Sequence, residues 1–382
     1  MMARILLCAV LMCAVAVAEE SALQFEKSRI GTATFEAASI FDVNNDGAKD
    51  LFSGGFWYPG PEFKTDHKVA EIRYEDTYYD DFSNIPVDVN GDGLLDIVTG
   101  GWWGMTFQWR ENPGGTGEWI THDVAEVGNV ERTCACDFDN DGDLEFVPVV
   151  NPVQVFKLVR DGSGKGTGEF KQYTIQGGNG GHGFGCGDVN GDGRNDILLA
   201  AGWLEGPEDP YKTDAWQWHA EFELGAASLP ILVHDVNGDG LNDLINGAAH
   251  DYGLWWLEQG RGEDGKRTWT RHDIETGRSQ FHDLQLVDLD NDGKVELVTG
   301  KRYYGHNGHD PGANDPLGIY YYDMDEGNFV RNTIDYGPAG KASGAGIYFW
   351  VDDVDGNGWK DILAPGKDGL YLFLNKGKAP AK

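Results

Sequence analysis

The sequence predicts an all-β fold: a seven-bladed β-propeller of four-stranded blades, its ring closed by an N-terminal outer strand. Three observations predict it. A nine-residue acidic turn recurs seven times along the 382 residues. Short apolar and aromatic segments recur between the turns in a fixed order, as an array or propeller requires. The last repeat lacks its fourth segment, and a segment of that pattern stands at the N-terminus.

Each turn places Asp, Asn or Glu at positions 1, 3, 5 and 9 and Gly at position 6. The seven sets are Asp42, Asn44, Asp46, Asp50; Asp88, Asn90, Asp92, Asp96; Asp137, Asp139, Asp141, Glu145; Asp188, Asn190, Asp192, Asp196; Asp235, Asn237, Asp239, Asp243; Asp288, Asp290, Asp292, Glu296; and Asp353, Asp355, Asn357, Asp361. Ca²⁺ takes six to eight oxygens, and alternate residues of a tight turn aim theirs at one point. Up to seven structural Ca²⁺ sites are therefore expected. An acidic turn capped by its own side chains explains one such loop, but not seven with the same four positions filled.

Charge agrees. There are 63 acidic and 30 basic residues, a formal net charge of −33. Of the acidic side chains, 23 are the expected ligands. So acidic a chain excludes nucleic acid as partner, because phosphate binding needs a basic surface.

The repeat unit reads as four strands, A to D. An apolar segment precedes each turn, and a β-rich segment such as Asp96-Ile-Val-Thr follows it. An aromatic segment such as Leu254-Trp-Trp-Leu comes third. An alternating one such as Trp269-Thr-Arg-His-Asp-Ile comes fourth. His122, His219 and His272 recur in that fourth segment and are expected to be structural. Phe25-Glu-Lys-Ser-Arg-Ile supplies the missing fourth strand of the last blade and removes the open sheet edge.

Residues 1–18 read as a secretory signal, with Arg4, an apolar run and Ala-Val-Ala before the cut. The propeller is expected over 19–382, secreted or periplasmic, with no membrane insertion. A disulfide from Cys186 to Cys134 or Cys136 is expected from opposite strand parity on neighbouring sheets.

The D-x-[DN]-x-[DN]-G-x-x-[DE] turns, each followed by an apolar strand, resemble FG-GAP/VCBS repeats, the calcium-bearing propeller units also found in integrin α-chains. The resemblance covers residues 24–375 and implies the fold and the calcium. Gly181-His-Gly-Phe-Gly-Cys-Gly-Asp, Gly202-Trp-Leu-Glu-Gly-Pro and Gln280-Phe-His-Asp-Leu-Gln-Leu-Val-Asp look like the propeller domain of aldos-2-ulose dehydratase, which eliminates water from keto- or anhydro-sugars. That similarity implies sugar chemistry without assigning a catalytic residue, and the dehydratase's cupin domains have no counterpart here.

In an up-and-down blade the A–B turns share one end of the ring. The D–A and B–C connections share the other, and there the chain gathers unlike polar groups. His182, His282, Arg302, Tyr303, His306 and His309 are the catalytic candidates. Tyr79, Asp81, Trp102, Trp103, Arg132, His250 and Tyr252 are the substrate-binding candidates. Rings stack on sugar faces, and His and Tyr serve as acid and base near neutrality. An additional divalent metal held by His306, His309 and Asp310 is a further expectation. The expected partner is a carbohydrate or small sugar-derived ligand. Two readings follow: a lyase or dehydratase for a sugar or uronate, or a non-catalytic glycan- or protein-binding propeller.

Overall fold

The computed structural model describes residues 23–178 and 182–379; the signal segment lies outside them. Seven four-stranded antiparallel sheets follow one another along the chain. Blades 1 to 6 span residues 39–68, 85–126, 133–174, 184–219, 232–279 and 281–337. Blade 7 takes three strands from residues 350–378 and its fourth from Leu23–Gly31. That N-terminal strand pairs antiparallel with Leu370–Lys378, with Lys27 opposite Phe373 and Arg29 opposite Tyr371. A parallel bridge from Ala37 to Tyr348 joins the inner edges of blades 1 and 7. The ring therefore closes as the sequence pattern requires.

The core lies between blades. Phe107 of blade 2 stacks on Phe156 of blade 3 with ring centroids 4.3 Å apart. Leu198 and Trp203 of blade 4 pack with Leu244, Trp255 and Leu257 of blade 5. Burying each such side chain contributes about 1.5–3 kcal/mol. Blades approach closely along their A strands: a Cβ at Gly185 would stand 2.2 Å from the Ile231 carbonyl oxygen of the next blade.

The repeated D-strand histidines are structural. His122, His219 and His272 stack on Trp109, Trp203 and Trp256 at 4.3, 4.3 and 4.6 Å. Each also meets a strand-C carboxylate: Glu111, Glu205 and Glu258, at 2.7, 2.9 and 2.8 Å. Cys136 and Cys186 form a disulfide between blades 3 and 4, and Cys134 stays a buried free thiol.

The acidic turns carry a second role that the sequence did not announce. Position 9 is buried in every blade. One oxygen of Asp50, Asp96, Glu145, Asp196, Asp243, Glu296 and Asp361 accepts the backbone N–H of position 2, at 2.7 to 3.0 Å. In five blades the other oxygen accepts an N–H just after or at the end of strand C, from Gly60, Asn112, Gly206, Gln259 and Asn375. The carboxylate thus ties the turn to the third strand with or without an ion.

Candidate functional site

One register position builds the opposite end of the ring. Six residues before the first Asp of each turn stand Glu36, Phe82, Glu131, His182, Leu229, His282 and Ile347. Each lies at or just before the start of its A strand. Glu131, His182 and His282 meet there. His182 Nε2 lies 2.9 Å from Glu131 Oε2, and His282 Nε2 lies 3.2 Å from Glu131 Oε1. His250, from the B–C loop of blade 5, completes the cluster. Its Nε2 is 2.9 Å from His182 Nε2 and 3.8 Å from Glu131 Oε1.

The far side of each ring fixes its orientation. His182 Nδ1 donates to the Ala227 carbonyl at 2.7 Å, and His250 Nδ1 donates to Asp310 Oδ2 at 2.9 Å. With Nδ1 protonated, both Nε2 lone pairs face each other and Glu131. That arrangement calls for a cation between them, either a proton or a metal ion. His282 is fully buried, with Nδ1 unpartnered. One donor atom from each of Glu131, His182, His250 and His282 lies within 4.8 Å of all the others. Three imidazoles and one carboxylate, with outer hydrogen bonds on two of the rings, fit a four-coordinate divalent metal of the zinc class.

Protonation follows the same geometry. Burial works against charge at Glu131, yet its neighbours His182 and His282 hold the carboxyl well below its usual range. Burial also works against charge on His182, but Glu131 outweighs it and raises that imidazole. Burial and the nearby His182 push His250 down to about 4, and burial depresses His282 as well. Neutral rings at 250 and 282 suit metal ligation.

Arg302 stands beside the cluster, buried, with Nε 2.9 Å from Glu36 Oε1 and Nη1 3.2 Å from Glu131 Oε1. Tyr78, Phe82, Trp102, Trp103, Glu131, Arg302 and His306 wall a cavity of about 150 Å³ that opens to solvent. The Tyr78 hydroxyl is buried, close to the backbone of His306 and Asn307. His306 is exposed, stacks on His250 at 4.5 Å, and its Nδ1 lies 2.8 Å from Asp310 Oδ1. A second cavity, lined by Trp102, Glu131, Val149, His182 and Leu229, meets the first at Trp102 and Glu131.

Of the residues expected here, His182, His250, His282, Arg302, His306, Trp102 and Trp103 come together at this mouth. Others do not. Asp81 is fully buried against Arg110 and Asn84, a strut beneath the rim. Arg132 is buried deeper in the channel, bonded to Asp283 at 2.7 Å and to the Ile347 carbonyl at 2.8 Å. Tyr79 packs on Phe35 at 4.2 Å, and Tyr252 bonds Asp315 on the outer rim. Tyr303 lies beside Tyr304, outside the cavity lining. His309 is exposed and does not join His306 and Asp310; the third member of that group is His250. The reason is local backbone: Tyr304, His306 and Asn307 all take left-handed φ, which turns the loop after each.

Sequence reasoning placed Glu131 beside Arg132 at this end but chose only Arg132 as a candidate, and it passed over Glu36. The signal was present: both glutamates stand in the same place relative to their turns as His182 and His282.

The turns fit calcium unevenly. Position 1 accepts the N–H groups of positions 5 and 6, as Asp188 does from Asp192 and Gly193, so the side chains already fold inward. Turns 6 and 7 bring carboxylate oxygens of positions 1, 3 and 9 within 4.8 Å of one another. Turn 3 does the same, but a lysine reaches into it, as taken up below.

Seven four-stranded blades with an acidic turn between the first two strands of each define a seven-bladed β-propeller. The FG-GAP-like repeat family model matches residues 88–147 and 235–299 of this propeller. No curated protein matches the sequence. Among solved structures, BBS1N in complex with ARL6DN is similar at 9% identity and TM-score 0.50, covering 95% of this chain and 99% of that one. The exotype rhamnogalacturonan lyase YesX is similar at 14% identity and TM-score 0.49, covering 90% and 72%. Rhamnogalacturonan lyase YesW is similar at 13% identity and TM-score 0.46, covering 95% and 76%.

Proposed function

We propose that this protein is an exported carbohydrate-active propeller, a lyase or dehydratase for a sugar or uronate, with calcium in its turns and a divalent ion at its mouth. The observation that carries the reading is the convergence of three imidazole Nε2 atoms and the Glu131 carboxylate beneath an aromatic-walled cavity. Nitrogen donors favour a zinc-class ion over calcium, which prefers oxygen. The Cys136–Cys186 bridge is in keeping with an oxidising compartment.

The groups suit β-elimination. Trp102 and Trp103 offer faces for a sugar ring. His306, positioned by Asp310, takes the proton from the carbon beside the carbonyl or carboxylate. Arg302 faces the negative charge that develops there. A divalent ion held by Glu131, His182, His250 and His282 would add positive charge beside that site. The β C–O bond then breaks, its electron pair leaves on oxygen, and the Tyr78 hydroxyl protonates that oxygen. The product is an unsaturated carbonyl or carboxylate with an ultraviolet chromophore.

The test is a screen of oxidised sugars and uronate oligosaccharides for a new absorbance, with His306→Ala and Tyr78→Phe as comparison. Turnover that falls at least a hundredfold in both variants supports the reading. Unchanged turnover in both places the chemistry elsewhere. Saturable sugar binding with no turnover from the metal-loaded protein would favour the non-catalytic binding propeller instead.

A further inference from the structure

Arg194 pairs with Asp192 of the fourth turn, Lys378 with Asp290 of the sixth and Lys376 with Asp355 of the seventh. In the third turn one ammonium meets three carboxylates. Lys157, on strand C of blade 3, stands opposite Glu145 in the sheet register. Its ammonium lies 2.5 Å from Asp139 Oδ2, 2.8 Å from Asp141 Oδ2 and 3.3 Å from Glu145 Oε1. These are positions 3, 5 and 9 of the turn. A calcium ion would sit about 2.3–2.6 Å from the same kind of oxygens, so ammonium and ion compete for one place. The Tyr211 hydroxyl, reaching over from blade 4, lies 2.8 Å from the same Asp139 oxygen and 2.9 Å from the same Glu145 oxygen, and donates its one hydrogen between them. The lysine side chain is only 23% exposed and Glu145 is fully buried.

The other blades are built differently. Ile97 pairs with Arg110, Ile197 with Leu204 and Leu244 with Leu257. One step further along, beside position 9, blades 2, 4 and 5 carry Glu111, Glu205 and Glu258. Blade 3 puts a fixed positive charge where these put a negative one. Lys376 and Lys378 also approach turns, but each meets position 3, Asp355 at 3.3 Å and Asp290 at 2.8 Å, from the C-terminal strand.

We propose that the turn at residues 137–145 holds no calcium, because the Lys157 ammonium takes the ion's place and makes blade 3 independent of metal. This rests on the reading of the other turns as calcium sites. The experiment is a count of calcium ions per chain at saturating free calcium, by equilibrium dialysis and atomic emission. It is run on the wild type and on Asp141→Ala, Asp239→Ala and Lys157→Met, all purified in calcium. Asp141→Ala is expected to match the wild type, Asp239→Ala to hold one ion fewer, and Lys157→Met to hold one more. A lost ion in Asp141→Ala, or no added ion in Lys157→Met, overturns the proposal. No lost ion in Asp239→Ala would instead remove the calcium reading of the turns, and the proposal with it.

Discussion

The Nε2 atoms of His182 and His250 stand 2.9 Å apart, each ring held from behind through its Nδ1. Two neutral imidazoles so oriented would set lone pair against lone pair. A cation between them, either the proton that Glu131 favours on His182 or a metal ion, removes that conflict. The wild type is therefore expected to bind one Zn²⁺ per chain in excess calcium, measured by titration calorimetry. His182→Ala should abolish that event. Asp310→Asn should weaken it about 10–100-fold, because Asp310 orients His250 from behind. His309→Ala should leave it unchanged.

Arg302 and Glu36 form a buried pair, 2% and 3% exposed. Among the described residues, removing Glu36 leaves the buried Arg302 with only the longer carboxylate contact, to Glu131 at 3.2 Å. Glu36→Gln is expected to lower stability by about 3–5 kcal/mol in urea denaturation. Adding Arg302→Met should recover much of that loss. A double variant no more stable than Glu36→Gln would show that the residues act separately.

Asp196 joins turn and strand through two backbone N–H groups, Val189 at 2.8 Å and Gly206 at 2.8 Å. An amide cannot accept both equally well. Asp196→Asn is expected to cost about 1.5–3 kcal/mol, measured in excess chelator at pH 8, where lost metal binding does not contribute. An effect visible only with calcium present would make the carboxylate a ligand alone.

Lys367 reports on desolvation at the rim. Among the described residues its ammonium pairs with no carboxylate: it meets the Thr77 hydroxyl at 3.0 Å, the Tyr304 carbonyl at 3.2 Å and the faces of Tyr78 and Tyr304. Burial pushes its pKa down to about 8, below the 10.5 of a free lysine. Between those values the unfolded chain binds more protons, so stability rises with pH there. The penalty is complete below about pH 8 and relieved near 10.5. Urea midpoints of wild type relative to Lys367→Met should therefore climb from pH 8 to 10. Parallel profiles would count against a desolvated ammonium.

Most of the ring was legible before any coordinates. Repeat spacing, the order of segments and the displaced strand at residues 23–31 are local patterns, and closure follows from them. The mouth was legible only as a set of connections. His182 and His282 stood out as unusual residues in matching places, whereas Glu36 was lost among 63 acidic side chains and Glu131 was one connection residue among many. Asp81 and Arg132 look like ligand contacts in sequence, yet each finds a buried partner, Arg110 or Asp283, from another strand or blade.

The sequence by itself determined seven blades, which end of each blade carries the acidic turn, and how the ring shuts. Period and side-chain alternation suffice for that, because every strand is specified by its own neighbours. Tertiary structure alone decided which imidazoles face one another and which turn receives a lysine. The imidazoles come from different blades, and the lysine reaches its turn from another strand of its own blade, so both contacts depend on pairing and ring geometry beyond each residue's sequence neighbours.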